Sequence, residues 1–328
     1  MADPIALFDP CAFAIPWSGD CPAVGFVNLD GTGEGMASFH LPPFPLLGIG
    51  NPAHPIAHQL DAVIEPPFTT AMIQHACDAQ PDAAAILAQL LRLIEPLDVE
   101  PALVAESLAY AVLQGSSGHA SWLAAQQARP PQPSGEVRVA RQDGLLTITL
   151  DRPIAHNAID RHMRDGLREA FELAALDPDI ERVVLRGEGR SFSVGADLAE
   201  FGTTRDPAMA HGIRMRTLPA HAIARCCDRL EVHVQGGCVG SGLEMAAFAR
   251  RLTASARAWF QLPELAMGVI AGAGGCVSVS RRIGRQRAAL LMLSGKRISA
   301  EVALGWGLVD AIIDDRSVDD RHPDIAGL

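Results

Sequence analysis

Two stretches decide the fold class: Phe192-Ser193-Val194-Gly195-Ala196-Asp197-Leu198 and Gly236-Gly237-Cys238-Val239-Gly240-Ser241-Gly242-Leu243-Glu244. Each follows an apolar run that reads as a strand, RVVLR at 182–186 and EVHVQ at 231–235, and the second leads into a helical pattern at 242–250. Glycines at such junctions let the chain turn tightly. The first N–H groups of a following helix then lack partners and favour an oxygen that is gaining negative charge. One such cluster alone reads more readily as a tight turn for close helix packing. Two of them predict an oxyanion hole, in which each donor is worth ~100- to 1000-fold in rate. Neither is a phosphate loop, because no Lys-Ser or Lys-Thr follows, and Gly240-Ser241-Gly242 does not fit G-x-S-x-G.

Outward from these turns the pattern is α/β. VRVA at 137–140, the turn Asp143-Gly144 and LLTITL at 145–150 predict a hairpin. An amphipathic helix is predicted over 160–176, further helices over 274–283, 285–294 and 299–305, and a strand over 308–313. The segment 201–218 reads as a loop that shapes the pocket. Upstream, PPQPSG at 130–135 reads as a linker, and 67–129 as a helical hairpin broken at Pro96. Its first helix carries Ile86, Leu87, Leu90, Leu91 and Ile94 on one face. The second carries Leu103, Val104, Ser107, Leu108, Ala111 and Val112. The Pro/Gly-rich residues 1–66 read as irregular, with one strand near 24–28.

The 328 residues carry a formal charge of −11, and residues 1–135 alone hold two Arg and 13 Asp or Glu, so the remainder is balanced. That argues against nucleic-acid binding. Lys296 is the only lysine against 26 arginines, so a bound anion is expected to meet Arg or backbone amides. Seven scattered cysteines form no C-x-x-C pair, and the dispersed histidines form no H-E-x-x-H run; no disulfide framework and no metal site is expected. No apolar run reaches membrane-spanning length and no basic leader opens the chain, so a cytoplasmic location and no membrane partner are expected.

Over Glu136 to Asp315 the sequence resembles the crotonase superfamily, the enoyl-CoA hydratase/isomerase family. The resemblance rests on Asp151-Arg152-Pro153 with Asn157-Ala158, on the two turns above, on Pro263-Glu264 and on Gly272-Ala273-Gly274-Gly275, in the family's order and spacing. It implies a spiral of ββα units over 136–328, preceded here by the irregular and helical extension. It also implies a thioester oxygen held by the N–H groups of Ala196 and Ser241. Glu244 is then expected to activate water and Glu264 to deliver a proton, hydrating a 2-enoyl-CoA or running the reverse. Adding water across a conjugated double bond needs a base at C3 and an acid at C2, which two carboxyls of different proton affinity supply.

Coenzyme A enters as part of the substrate, with no separate cofactor, and the residues expected to hold it are Arg152, Ala196, Asp197, Leu198 and Gly240, with Arg190 a further cation for the phosphates. Asp197 is expected to cap or brace its turn, and Cys238 to be a small buried group. By the same resemblance the protein is a homo-oligomer, a trimer or hexamer. Other reactions remain open on this scaffold: isomerisation, hydrolysis, or the cofactor-independent oxygenation of members with an added N-terminal helical domain; so does a non-catalytic thioester-binding subunit. Three positions depart from the family: Ser241 stands at the middle of a usual glycine triplet, Ala199 replaces a lysine and Ala271 a proline. The terminal helices that cover the acyl site and build trimer contacts in the family are not found after Asp315. Residues 67–129 are expected to replace them as lid or oligomer contact.

Overall fold

The computed structural model describes residues 5–30, 39–127 and 132–313. The first residues of the expected linker and everything after 313 lie outside that range. The second half of the chain builds a six-stranded sheet. A hairpin of β5 (Glu136–Gln142) and β6 (Leu145–Asp151) turns at Asp143, at φ 51°. Helix α5 (Arg161–Leu176) follows, capped by Asp160, whose side chain accepts from Met163 N–H, and leads to β7 (Arg182–Gly187). The sheet continues through β8 (Leu230–Val234), β10 (Arg251–Ala254) and β13 (Ala311–Ile312), all parallel to β7. A smaller layer of β9 (Gly237–Val239), β11 (Trp259–Gln261) and β12 (Ile298–Ser299) lies beside it. Helices α7 (Ala220–Cys226), α8 (Ser241–Ala246), α9 (Gly275–Ile283), α10 (Arg285–Ser294) and α11 (Ala300–Trp306) fill the crossovers. The expected loop at 201–218 is corrected: α6 (Pro207–Thr217) forms there, started by Pro207 and by the Asp206 carboxylate accepting from Met209 N–H at 2.7 Å.

The expectation of an irregular segment over 1–66 is corrected for its described residues, 5–30 and 39–66. Four short strands, β1 (Leu7–Phe8), β2 (Gly25–Asn28), β3 (Leu46–Ile49) and β4 (Ala62–Val63), form a parallel sheet in chain order. This sheet repeats β7, β8, β10 and β13, which also lie side by side, parallel and in chain order. The repeat extends to residues. Leu60-Asp61-Ala62-Val63-Ile64-Glu65 matches Val309-Asp310-Ala311-Ile312-Ile313-Asp314 at every position in kind. Asp61 Oδ2 accepts from Leu46 N–H at 2.8 Å as Asp310 Oδ2 accepts from Leu252 N–H at 2.7 Å, each carboxylate closing the start of the neighbouring strand. Asp61 is held by Arg92, Asp310 by Arg282. Between strands, GTGEGMASF at 31–39 echoes GSGLEMAAF at 240–248, with Gly35 where the second copy has Glu244. Strands of two to four residues separated by Pro/Gly loops carry too little periodicity to be legible beforehand.

The expected helical hairpin is four helices: α1 (Thr70–Ala79), α2 (Pro81–Ile94), α3 (Val99–Gln114) and α4 (Ser117–Ala125). The inward face of α2 is as predicted, with Leu87, Leu90, Leu91 and Ile94 buried. The face of α3 is not: Leu103, Ser107 and Ala111 are buried while Val104, Leu108 and Val112 are exposed. Helices α1, α2 and α3 share one apolar cluster with the sheet, from Val24 to Val309, so extension and core are one folded body. Arginines on α10 fix the join, Arg285 reaching Asp61 and Glu95 and Arg287 reaching Glu65. Glu106 of α3 penetrates deepest, fully enclosed, its carboxylate accepting from Gly274 N–H at 2.7 Å and Cys276 N–H at 2.8 Å. Replacing Glu106 by Ala leaves two buried donors without acceptors and is expected to cost roughly 2–5 kcal/mol. Urea unfolding followed by circular dichroism and by tryptophan fluorescence should shift together to lower denaturant. An unchanged midpoint, or two separate transitions, would contradict the single-body description.

Candidate active site

The first turn is built on Asn157. In the left-handed region at φ 55°, its side-chain amide donates to the carbonyls of Glu188, Ser191 and Phe192, and its Oδ1 accepts from Arg152 N–H. Buried Ser193 donates from Oγ to Asn157 O and accepts from Gly195 N–H, pulling the turn into shape. Backbone bonds from Ile159 N–H to Gly195 O and from Asp197 N–H to Ile159 O leave Ala196 N–H pointing the other way. Asp197 accepts from Ala199 N–H at 3.0 Å and from Arg152 Nη1 at 2.8 Å, the brace expected of it.

Arg152 is a correction. Its guanidinium is buried, committed to Pro133 O, Ala158 O and Asp197, and it does not line the cavity, so it holds the turn from behind instead of meeting coenzyme A. Arg190 is exposed and also off the cavity wall.

The second turn lies against the first. Gly240 has φ 48°, and a Cβ there would stand 2.6 Å from Glu264 Oε1, so conformation and space both require glycine. The Gly195 α-carbon faces it, a Cβ on Gly195 falling 3.5 Å from Ser241 N. Neither Ala196 N–H nor Ser241 N–H has an acceptor among the described residues. Both line one cavity of about 630 Å³, together with Asp197, Leu198, Gly240, Glu244 and Glu264. Ser241 Oγ is buried and unpartnered among the described residues. Cys238 is fully buried in β9.

Glu244, in the first turn of α8, is 2% exposed, and its Oε2 accepts from Ala273 N–H at 2.6 Å and Gly275 N–H at 2.9 Å. These donors alternate with those that hold Glu106, so four successive N–H groups, 273 to 276, serve two carboxylates in turn. Burial outweighs these bonds and pushes the Glu244 carboxyl up to about 7. Glu264 is raised well above the usual carboxylate range by burial and by the neighbouring Glu244 charge, and its Oε2 is buried without a partner among the described residues. Glu106 is raised by burial first and by Glu244 second.

The extension completes the wall. Glu106, Tyr110 and Gln114, spaced four apart on α3, form one stripe; Tyr110 and Gln114 line the cavity, and His119 of α4 joins them, its Nδ1 bonded to Met267 O at 2.8 Å. Tyr110 packs so closely on Gly272 that a Cβ there would lie 2.2 Å from the ring. This stripe, and Arg214 of α6, were not singled out from sequence. The available signal was polar residues at helical spacing, Glu106 and the chain's only tyrosine among them, on a mostly apolar helix.

The pattern of the family described as enoyl-CoA hydratase/isomerase matches residues 140–326. Mevalonyl-coenzyme A hydratase SIDH of Beauveria bassiana is 35% identical over 180 residues, covering 52% of this chain and 64% of that protein. The 2,3-dehydroadipyl-CoA hydratase of Escherichia coli is 33% identical over 183 residues, covering 54% and 69%. Among solved structures, enoyl-CoA hydratase from Thermoplasma volcanium superposes with a TM-score of 0.50 at 34% identity, over 56% of this chain and 74% of that one. The fold is that of the crotonases, and the chain belongs to the enoyl-CoA hydratase/isomerase family.

Proposed function

We propose that this chain hydrates a 2-enoyl-CoA thioester to the 3-hydroxyacyl thioester, or catalyses the reverse. The observation that carries the reading is the convergence of two free main-chain donors and two buried carboxyls of unequal proton affinity on one cavity. The hydratase names of the two relatives support it.

The thioester oxygen takes hydrogen bonds from Ala196 and Ser241 N–H. Glu244, fixed through Oε2 by two amides, accepts a proton from water as its oxygen bonds to C3. The electron pair of the C2–C3 double bond moves onto the thioester as an enolate, whose charge the two N–H groups stabilise. Glu264 protonates C2, and hydrolysis of the thioester is not involved. The division of roles follows the electrostatics: the Glu244 carboxyl titrates near neutrality and supplies a carboxylate, whereas Glu264, facing that charge, keeps its proton. With Arg152 committed elsewhere, exposed Arg161, which also lines the cavity, is the cation we assign to the phosphates of coenzyme A.

Loss of the conjugated-enoyl absorbance of crotonyl-CoA measures the reaction. Glu244→Gln and Glu264→Gln are each expected to lower kcat by roughly 100- to 10,000-fold. Wild-type rates in either variant, or release of free coenzyme A in place of hydration, would defeat the assignment. Because Glu244 must be ionised to act as base and its carboxyl is pushed up to about 7, kcat/KM should rise with pH through about 7 and then level. A profile that falls over that range would reverse the two roles.

A further inference from the structure

Arg214 projects from α6 into the wall of the same cavity. Its Nε donates to Ser107 Oγ at 3.1 Å, Nη1 to Gln114 Oε1 at 2.8 Å and Nη2 to Ser107 O at 3.0 Å. All three acceptors are neutral and sit on α3. Gln114 is itself oriented, its Nε2 donating to Thr204 O at 3.0 Å, so Oε1 is presented to the arginine. The guanidinium lies over the Tyr110 ring, 4.6 Å from its centre. Three of five N–H donors are thus used, leaving one on each terminal nitrogen.

No carboxylate pairs with Arg214 among the described residues, whereas Arg92, Arg282 and Arg287 each have one and Arg285 has two. A partly buried cation held rigid by neutral groups carries a desolvation cost that an incoming anion relieves. A planar fork with one free N–H per terminal nitrogen suits a carboxylate, which it can grip at both oxygens. Position fixes where that carboxylate must come from. Tyr110 rests on Gly272, next to the amides that anchor Glu244, and Arg214 lies across the ring, so one aromatic ring separates the reacting end of the cavity from the guanidinium.

We propose that Arg214 binds a carboxylate at the far end of the acyl chain, so that the substrate is the 2-enoyl thioester of a dicarboxylic acid. This rests on the hydratase reading for its chemistry, but the pocket is tested by binding alone. Calorimetry would compare saturated glutaryl-, adipyl- and pimelyl-CoA with their ω-methyl esters, which keep the chain length but lack its terminal charge, and with free coenzyme A. At least one free acid is expected to bind the wild type roughly 10- to 100-fold more tightly than its ester, a gap typical of a charge-assisted pair. Arg214→Met should erase that ratio and Arg214→Lys restore part of it.

Equal binding of acid and ester across the series in the wild type overturns the proposal. An Arg214→Met loss shared equally by acid, ester and free coenzyme A also overturns it, placing the anion in the coenzyme's phosphates. Failure of the wild type to hydrate any enoyl thioester defeats the catalytic reading while leaving the acid-to-ester ratio to decide the pocket.

Discussion

Four successive main-chain N–H groups at the start of α9, shared alternately between Glu244 and Glu106, are the constraint on which the site depends. A buried carboxylate is tolerated only where donors replace its water. Here one short loop does that for two acids, one from each half of the chain. The arrangement fixes the position of the proposed base to the geometry of the loop and ties the loop to α3. Gly272 and Gly275 belong to the same device, because Tyr110 and the Glu244 side chain occupy the space where their Cβ atoms would be.

The duplicated strands explain why helices from before the core cover its site. In the first copy, β4 is followed directly by α1–α4; in the second, β13 occupies the equivalent edge of its sheet. The helices that follow the first copy pack onto the second and supply Glu106, Tyr110, Gln114 and His119 to its loop and cavity. Gly35 stands at the position that matches Glu244, so the first copy retains strands and turn sequence without the acid. Its contribution is to frame the second copy, through Asp61, Glu65 and Glu95 against the arginines of α10.

The second half was legible because its signals are local and mutually consistent. The hairpin around Asp143-Gly144, the helices at 161–176 and 285–294 and both glycine turns follow from periodicity and turn chemistry within a few residues. The first half was not, since β1 and β4 have two residues each and their parallel partners lie 15 or more positions away. Arg152 misled for a related reason. In a chain with one lysine, an arginine beside the first turn reads as an anion grip, and only the structure shows its donors already used by Pro133, Ala158 and Asp197.

Helix α3 shows the same limit in its sharpest form. Its sequence supports two apolar faces, and the alternative through Val104, Leu108 and Val112 is the one left in solvent. What decides between them is the polar stripe on the other side, Glu106, Tyr110 and Gln114, whose members have partners only in the assembled fold: two backbone amides, a glycine surface and an arginine on α6. Rotating α3 to bury the valines and Leu108 would take Glu106 away from Gly274 and Cys276, leaving buried donors empty at a cost of about 1–3 kcal/mol each. Burying Val104, Leu108 and Val112 would expose Leu103 and Ala111 in exchange, so the apolar balance changes little. Polar satisfaction at a distance, and not hydrophobic content, therefore sets the orientation of this helix and with it the shape of the cavity.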